Sequence, residues 1–413
     1  MKIGVFHPGT QHSWQTALAL QQLDRLAWYA TSIFYQPDRF PYRLEKMVPA
    51  ALAARLNAEF RRFAHPQLDP ALVRTAGLAE WFERLAARAG WHDLARRIDA
   101  VGNRRYVNVL AADIRSTEPF ALWGYNGSSH SSFALAKQHG RTCILDRTSC
   151  DYRIINSIMA EIREHYGDWF PPDYRATPDS VIALDDKEYA LADAILVGSP
   201  FAAQTIRDAV PDPAIHAKLR VLEYCFDEAL FAGISPPVPV PRNAPVKFLF
   251  VGLVGPTKGI HLLLEAVSRI PQQLAELTVV GNRRVPIEVL ATYADRVTFR
   301  PAVARSDVAK IMAEHHVLVL PSYFEGAGIV LYEALAAGCA LIQSGRCASA
   351  VTPDTGLMLG TLDTDALHAA MMVAIEDRDR LDSWRANAQL AAQRNTFARY
   401  RDTIAGFLQE MGL

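Results

Sequence analysis

The chain has 413 residues, 50% of them hydrophobic and 21% charged, with a formal net charge of −1. That length suggests two or three domains, and the near-neutral balance excludes a polyelectrolyte built to coat nucleic acid. No run of 18 apolar residues spans a membrane, and no heptad, tandem repeat or low-complexity tract stands out.

Lys2–Phe6 reads as a first strand, so MKIGVFHPGT looks like a strand start rather than a signal peptide. The loop His7–His12 follows, then a helix over Trp14–Leu23. This is the strand–loop–helix opening of a doubly wound domain. Gly9 would let that loop approach a ligand and His12 could orient one; ordinary loop residues are the competing reading. Ala27–Tyr35 reads as a second strand. An insert over about 40–114 shows almost no strand signal and reads as three or four helices: Arg43–Phe63, Leu78–Ala89, and Trp91 onward. From Arg39 to Arg105 it carries thirteen Arg or Lys against seven Asp or Glu, with Trp81, Phe82 and Trp91 interleaved. Such helices either lie on an anionic membrane surface or cover a sheet edge with their arginines solvated.

Phe120–Trp123 and Thr142–Leu145 are the next strands, with a helix over His130–His139 between them. The second releases Asp146, Arg147, Thr148 and Ser149 at its end. Arg147 could meet a phosphate there, or pair with Asp146 and only shape the loop. A helix over Val181–Leu191 leads to a buried strand, Ala194–Val197. Ser199 and Pro200 then start another helix as N-cap and first residue. Ile234–Pro245 holds five prolines and reads as a stiff connector between domains.

Beyond it, Lys247–Val251 is a strand, and Gly252–Gly259 a glycine-containing loop. An amphipathic helix with Ile260, Leu263, Leu264, Val267 and Ile270 on one face comes next. A loop of this kind entering a helix is a phosphate site, with Gly255 giving access and Lys258 the charge. Its spacing fits neither the dinucleotide fingerprint nor the P-loop. Arg283 and Arg284, after the strand Leu277–Val280, could supplement Lys258. Strands at Val297–Phe299, Val317–Leu320 and Ala340–Ile342 alternate with helices, as a second parallel sheet requires. Asp363-Thr364-Asp365 precedes a helical run, so capping is the preferred reading over metal binding. Helices over Leu381–Gln393 and Phe397–Glu410 close the chain.

Val317–Leu341 is the most informative stretch. A buried strand ends at Pro321, a loop carries Glu325, Gly326, Ala327 and Gly328, and a helix carries Glu333. Open parallel sheets bind ligands outside the carboxyl ends of their strands, where both glutamates fall. Carboxylates accept paired sugar hydroxyls well. The plainer reading leaves Glu333 on a solvated helix face and Glu325 in a loop.

PSYFEGAGIVLYEALAAG resembles the Glu-x7-Glu signature of family-4 retaining, nucleotide-sugar-dependent glycosyltransferases of the GT-B fold. The resemblance runs from about Val246 to Gly360 and more weakly back to about Leu145. It implies that Glu325 lies near the donor sugar and that Glu333 bonds the ribose. Gly252-Leu253-Val254-Gly255-Pro256-Thr257-Lys258-Gly259 is similar to that family's diphosphate-binding Gly-Arg-x…Lys-Gly element, with Lys258 matching and Leu253 in the arginine slot. Three further departures are the single Gly9, Thr148 and Asp151 in an Asp-Arg-Gly-Ser-x-His element, and Cys225 in place of glycine.

The expected fold is α/β and GT-B-like: two Rossmann-like doubly wound domains facing a central cleft. The expected divisions are 1–233 with the helical insert, a linker at 234–245, a donor-binding domain at 246–395, and a terminal helix at 396–413 crossing back. The expected activity is retaining transfer from a nucleoside diphosphate sugar to a saccharide, lipid-linked or protein acceptor. Cell-surface polysaccharide or glycoconjugate synthesis is the expected setting. Lys258 and Glu325 would be the catalytic groups, with no metal, no cofactor and no nucleic-acid partner. The alternatives are a sugar-nucleotide epimerase or hydrolase, or a non-catalytic partner of the same fold. Five cysteines (Cys143, Cys150, Cys225, Cys339 and Cys347) without metal-type spacing read as reduced thiols. They place the protein in the cytoplasm, free or peripheral on the inner membrane face.

Overall fold

A computed structural model describes residues 1–9, 12–38, 40, 42–50, 52–53, 57, 60, 63, 65–75, 91 and 106–413. Two sheets organise it. The first contains β1 (Lys2–His7), β2 (Leu26–Thr31), β3 (Val73–Thr75), β4 (Phe120–Tyr125), β5 (Cys143–Arg147), β6 (Ala194–Val197) and β7 (Leu219–Val221), in the order β3-β2-β1-β4-β5-β6-β7. The second contains β8 (Val246–Val251), β9 (Ala275–Val280), β10 (Val297–Arg300), β11 (Val317–Leu320), β12 (Ala340–Ser344) and β13 (Gly356–Leu359), in the order β10-β9-β8-β11-β12-β13. Pairing across the second sheet is parallel throughout. In the first, β1 pairs in parallel with β2 and β4, β2 with β3, and β4 with β5. Strand order reverses direction between β1 and β4, and again between β8 and β11. At such switch points neighbouring connections leave to opposite faces and open a crevice at the strand ends.

The strands form where the sequence supplies short apolar, β-branched runs buried on both faces. Val317–Leu320 is buried at every position, with Val317 and Leu318 in register with Phe248 and Leu249. By contacts the chain divides into two units. One holds 1–146, 183–196 and 401–413; the other holds 147–182 and 197–400. The core of the second unit therefore includes Met159, Ile162, Trp169 and Phe170 beside Phe248, Leu263 and Leu341.

The insert differs from its expected all-helical form. Val73–Thr75 is a strand, with Val73 opposite Tyr29 on β2. Three residues are too few to show alternation in a sequence. The expected helix Arg43–Phe63 is broken: Tyr42–Lys46 forms a 3₁₀ turn, and Pro49 interrupts the chain beyond it. Leu78–Ala89, with Trp81 and Phe82, lies outside the described residues. β13 and the helix Tyr152–His165 stand outside the elements expected from the sequence. All five cysteines are buried and unbridged. Among the described residues no helix is long and apolar enough to cross a membrane.

Candidate active site

The site is assembled at the switch point of the second sheet. After β8 the chain turns through Gly252 and runs beside the segment that follows β9. Val254 N–H donates to Asn282 O at 2.9 Å, and Arg284 N–H to Val254 O at 2.8 Å. Pro256–Lys258 forms a 3₁₀ turn, and Gly259 adopts a left-handed φ of 64°. A Cβ there would stand 2.1 Å from Pro321 O, so only glycine lets this loop touch the end of β11. The helix Ile260–Ser268 begins at once and has no side-chain cap. Its first N–H groups and dipole stay available to an anion.

The loop after β11 faces this element. Glu325 N–H donates to Arg346 O at 2.9 Å. Glu325 O accepts from Cys150 Sγ at 3.3 Å and Ser199 Oγ at 3.4 Å. Its carboxylate Oε1 accepts from Ser322 Oγ at 2.8 Å and from the ammonium of Lys258. No described residue donates to Oε2, which leaves a lone-pair edge for a ligand hydroxyl. Gly326 presses on the backbone of Thr148, where a Cβ would lie 1.9 Å from the carbonyl oxygen. Ala327 is buried, and Gly328 carries a φ of 88°. Glu333, one turn into the following helix, is half-buried. Burial pushes its carboxyl above the ordinary range, with Arg305 pulling the other way. A hollow of about 490 Å³ opens beyond the ends of β12 and β13, lined by Ser344, Arg346, Leu359 and Thr361 among others.

The remaining candidates divide. Gly255 lies beside Arg284: an added Cβ would be 3.6 Å from Arg284 Cβ. Arg284 is exposed, and Arg283 stacks over Phe299 at 5.6 Å. Both arginines are thus carried next to the Lys258 loop by the Val254–Asn282 and Arg284–Val254 bonds. Leu253, in the slot the resemblance gives to arginine, is 40% exposed and brings no charge. Arg147 is a correction. Its guanidinium is fully buried, donates to Ser149 O at 3.2 Å and Cys150 O at 2.8 Å, and lies over Tyr152 at 4.7 Å. It holds its own loop in shape and presents nothing to a phosphate. Asp151 caps the helix Tyr152–His165 by accepting from Arg153 N–H at 2.9 Å. Asp363 caps Thr364–Glu376 through Ala366 N–H at 2.7 Å, and Asp365 pairs with Arg269.

Gly9 and His12 lie in the first unit. Gly9 O accepts from Thr31 Oγ1 at 3.2 Å, and His12 is the N-cap position of the helix Ser13–Gln22. The loop after β4 enters the helix His130–Gln138 at this unit's own switch point. There the buried Glu188 carboxylate accepts from Gly127 N–H at 2.8 Å, Ser129 N–H at 2.7 Å and His130 N–H at 3.0 Å. The position an anionic ligand would take is already filled by the chain. Burial nevertheless pushes Glu188 up to about 7, against the pull of those three bonds. Glu188 gave no signal in the sequence beyond its place on a helix.

Two doubly wound parallel sheets in the order β3-β2-β1-β4 and β10-β9-β8-β11 define an α/β protein of the GT-B type. Solved structures share this fold along the whole chain. The Anabaena protein HepE in complex with UDP aligns with a TM-score of 0.61 and 14% identity, covering 99% of this chain and 100% of that one. Sucrose-phosphate synthase from Thermosynechococcus elongatus aligns with a TM-score of 0.62 and 17% identity, covering 100% and 99%. The profile of the family described as glycosyl transferases group 1 matches residues 245–377. That segment, about a third of the chain, contains Lys258, Glu325 and Glu333 and is similar to the group 1 glycosyltransferases. The O-antigen chain mannosyltransferase B of Escherichia coli is 29% identical over 162 residues, which cover 36% of this chain and 42% of that protein. The chain thus matches under half the length of that relative.

Proposed function

We propose that the protein transfers a sugar, with retention of configuration, from a nucleoside diphosphate sugar to a saccharide or lipid-linked acceptor. The observation that carries this reading is the Lys258–Glu325 pair at the switch point of the second sheet, beside an uncapped helix N-terminus. The chemical demand is to stabilise a departing diphosphate next to an oxocarbenium-like sugar. Lys258 and the N–H groups at Ile260 would take the leaving-group charge. Glu325 Oε2 would accept a sugar hydroxyl, and Glu333 the ribose hydroxyls. Gly255, Gly326, Ala327 and Gly328 would line the donor as backbone, and Arg284, with Arg283, would share the phosphate charge where Leu253 supplies none. With the phosphates neutralised by these groups, a metal is not required.

The first unit supports the same division. Glu188 occupies its switch-point helix N-terminus, which suits that unit to an uncharged saccharide rather than a phosphate. The basic insert would bring the acceptor side to an anionic membrane; Phe40, Met47 and Trp91 are exposed there. The relative named for O-antigen chain synthesis and the neighbour solved with UDP agree with a cell-surface glycan pathway and a uridine or related donor.

Calorimetric titration of UDP, GDP and ADP, followed by product analysis with the matching sugar nucleotides in EDTA, tests the reading. Binding of one diphosphate and metal-free transfer are expected. Failure to bind any of the three, or activity that EDTA abolishes and metal restores, would refute the corresponding part. Co-sedimentation with anionic and neutral vesicles tests the membrane contact, which equal absence of binding would remove.

A further inference from the structure

His261 is a fully buried imidazole, the second residue of the helix that follows Lys258. It falls off the apolar stripe of that helix, yet is covered. Tyr166 packs 4.2 Å from its ring and Trp169 5.7 Å, between ring centres. The Tyr323 ring lies 5.6 Å away between ring centres, nearly parallel at 17°. Nε2 lies 3.2 Å from the Tyr323 hydroxyl, and Nδ1 is buried without a partner. Burial lowers its pKa to about 4, so the ring is neutral near pH 7. A bare lone pair is tolerated in such a place better than an N–H without an acceptor. The proton therefore sits on Nε2, and His261 donates to Tyr323.

Leucine would fill this space without leaving a buried nitrogen unsatisfied, a feature that calls for an explanation in any native core. The geometry supplies one. Tyr323 is held a second time, by its own N–H donating to Thr257 O at 2.9 Å. Thr257 directly precedes Lys258, and Tyr323 stands two residues before Glu325. Two hydrogen bonds, one from backbone and one from a side chain, thus tie the Lys258 loop and its helix to the Glu325 loop.

We propose that His261 is a positioning residue: acting through Tyr323, it fixes the separation of Lys258 and Glu325 so that donor phosphate and donor sugar meet those groups in preset places. This rests on the reading of Lys258 and Glu325 as donor-site groups. Misplacement of a reacting group by about 1 Å can cost a hundredfold in rate.

The test compares His261→Leu, His261→Gln, Tyr323→Phe, the His261→Leu/Tyr323→Phe double variant and a Lys258→Ala control. Release of UDP from UDP-glucose and GDP from GDP-mannose gives kcat and KM, and titration with UDP and GDP gives Kd. His261→Leu and Tyr323→Phe should each lower kcat by about 10- to 100-fold, with diphosphate Kd changed less than about threefold. The double variant should be no worse than either single one, because both cut the same link. His261→Gln, which keeps a donor, should recover most of the loss. Parental kcat in Tyr323→Phe, additive losses, or a glutamine variant as slow as the leucine one would overturn the proposal. Tyr323→Phe removes only one hydroxyl and decides the matter if His261→Leu does not fold. A Lys258→Ala control with parental kcat would instead overturn the donor-site reading beneath it.

Discussion

Lys258 and Glu325, 67 residues apart in the chain, are joined by a direct hydrogen bond between ammonium and carboxylate. Neither is fully solvated: their side chains are 22% and 11% exposed. The pair satisfies each charge in the absence of a donor. A diphosphate arriving at the helix N-terminus would compete for Lys258 and free Glu325 for the sugar.

Lys258→Ala should therefore do two things. It should lower turnover by about two to three orders of magnitude, the usual loss for one donor to developing negative charge. It should also leave Glu325 half-buried without its cation and lower the melting temperature. Lys258→Arg should keep part of the activity, since the charge stays while its geometry changes. Arginine at Leu253 should partly rescue Lys258→Ala. Turnover of Lys258→Ala at the parental rate would leave the phosphate site to Arg283 and Arg284.

Glu333→Ala should weaken nucleotide binding by about 1.5–3 kcal/mol, the worth of a hydrogen bond to a charged group. Glu325→Ala should mainly slow transfer. Titration calorimetry and initial rates separate the two. Unchanged affinity and unchanged rate in both variants would remove the carboxylates from the site.

Gly326→Ala should disturb the loop that carries Glu325. Its new Cβ would meet Thr148 O at 1.9 Å, and backbone has little room to give. A destabilisation of about 1–3 kcal/mol is expected, as for other overpacked positions. The same substitution at Gly360, which has nothing within 4 Å, is the control. Equal denaturation midpoints for the two variants would contradict the close approach.

Glu188 makes a pH prediction of definite sign. Its carboxyl is raised from 4.5 to about 7 on folding. The folded chain therefore holds a proton that the unfolded chain has lost between those values. The contribution is fully present below about 4.5 and is lost as pH rises through about 7, by about 3 kcal/mol in total. Urea denaturation of parent and Glu188→Gln from pH 4.5 to 8 isolates it. The variant should lack that part of the decline; parallel pH profiles would show that the three N–H bonds cancel the effect of burial.

What the sequence disclosed was local. The run Val317–Leu320, the glycines and the helix after it are read within 25 residues, so both the strand and the place of Glu325 were legible. Lys258 was legible for the same reason, lying in a glycine-flanked loop between strand and helix. Its bond to Glu325 was not, because no periodicity reports a contact across three crossovers. His261 and Tyr323 are 62 residues apart and were passed over alike. Arg147 was misjudged because a strand-end arginine looks the same whether it faces solvent or folds back on Ser149 and Cys150. β3 was missed because three residues carry no pattern.

The helix Tyr152–His165 and the turn after it belong by contacts with the second unit, although Val246 opens that unit's sheet far downstream. During synthesis Met159, Ile162, Trp169 and Phe170 emerge long before the strands that cover them, so their apolar side chains must wait or be chaperoned. The same threading bears on recombination between genes. A crossover at the proline-rich junction Ile234–Pro245 would join a new sheet to an old Tyr152–Phe170 segment, and the buried partners of Trp169 would be foreign to it. A module exchange that keeps the core intact must carry two pieces, 147–182 and 197–400, and leave the stretch between them behind.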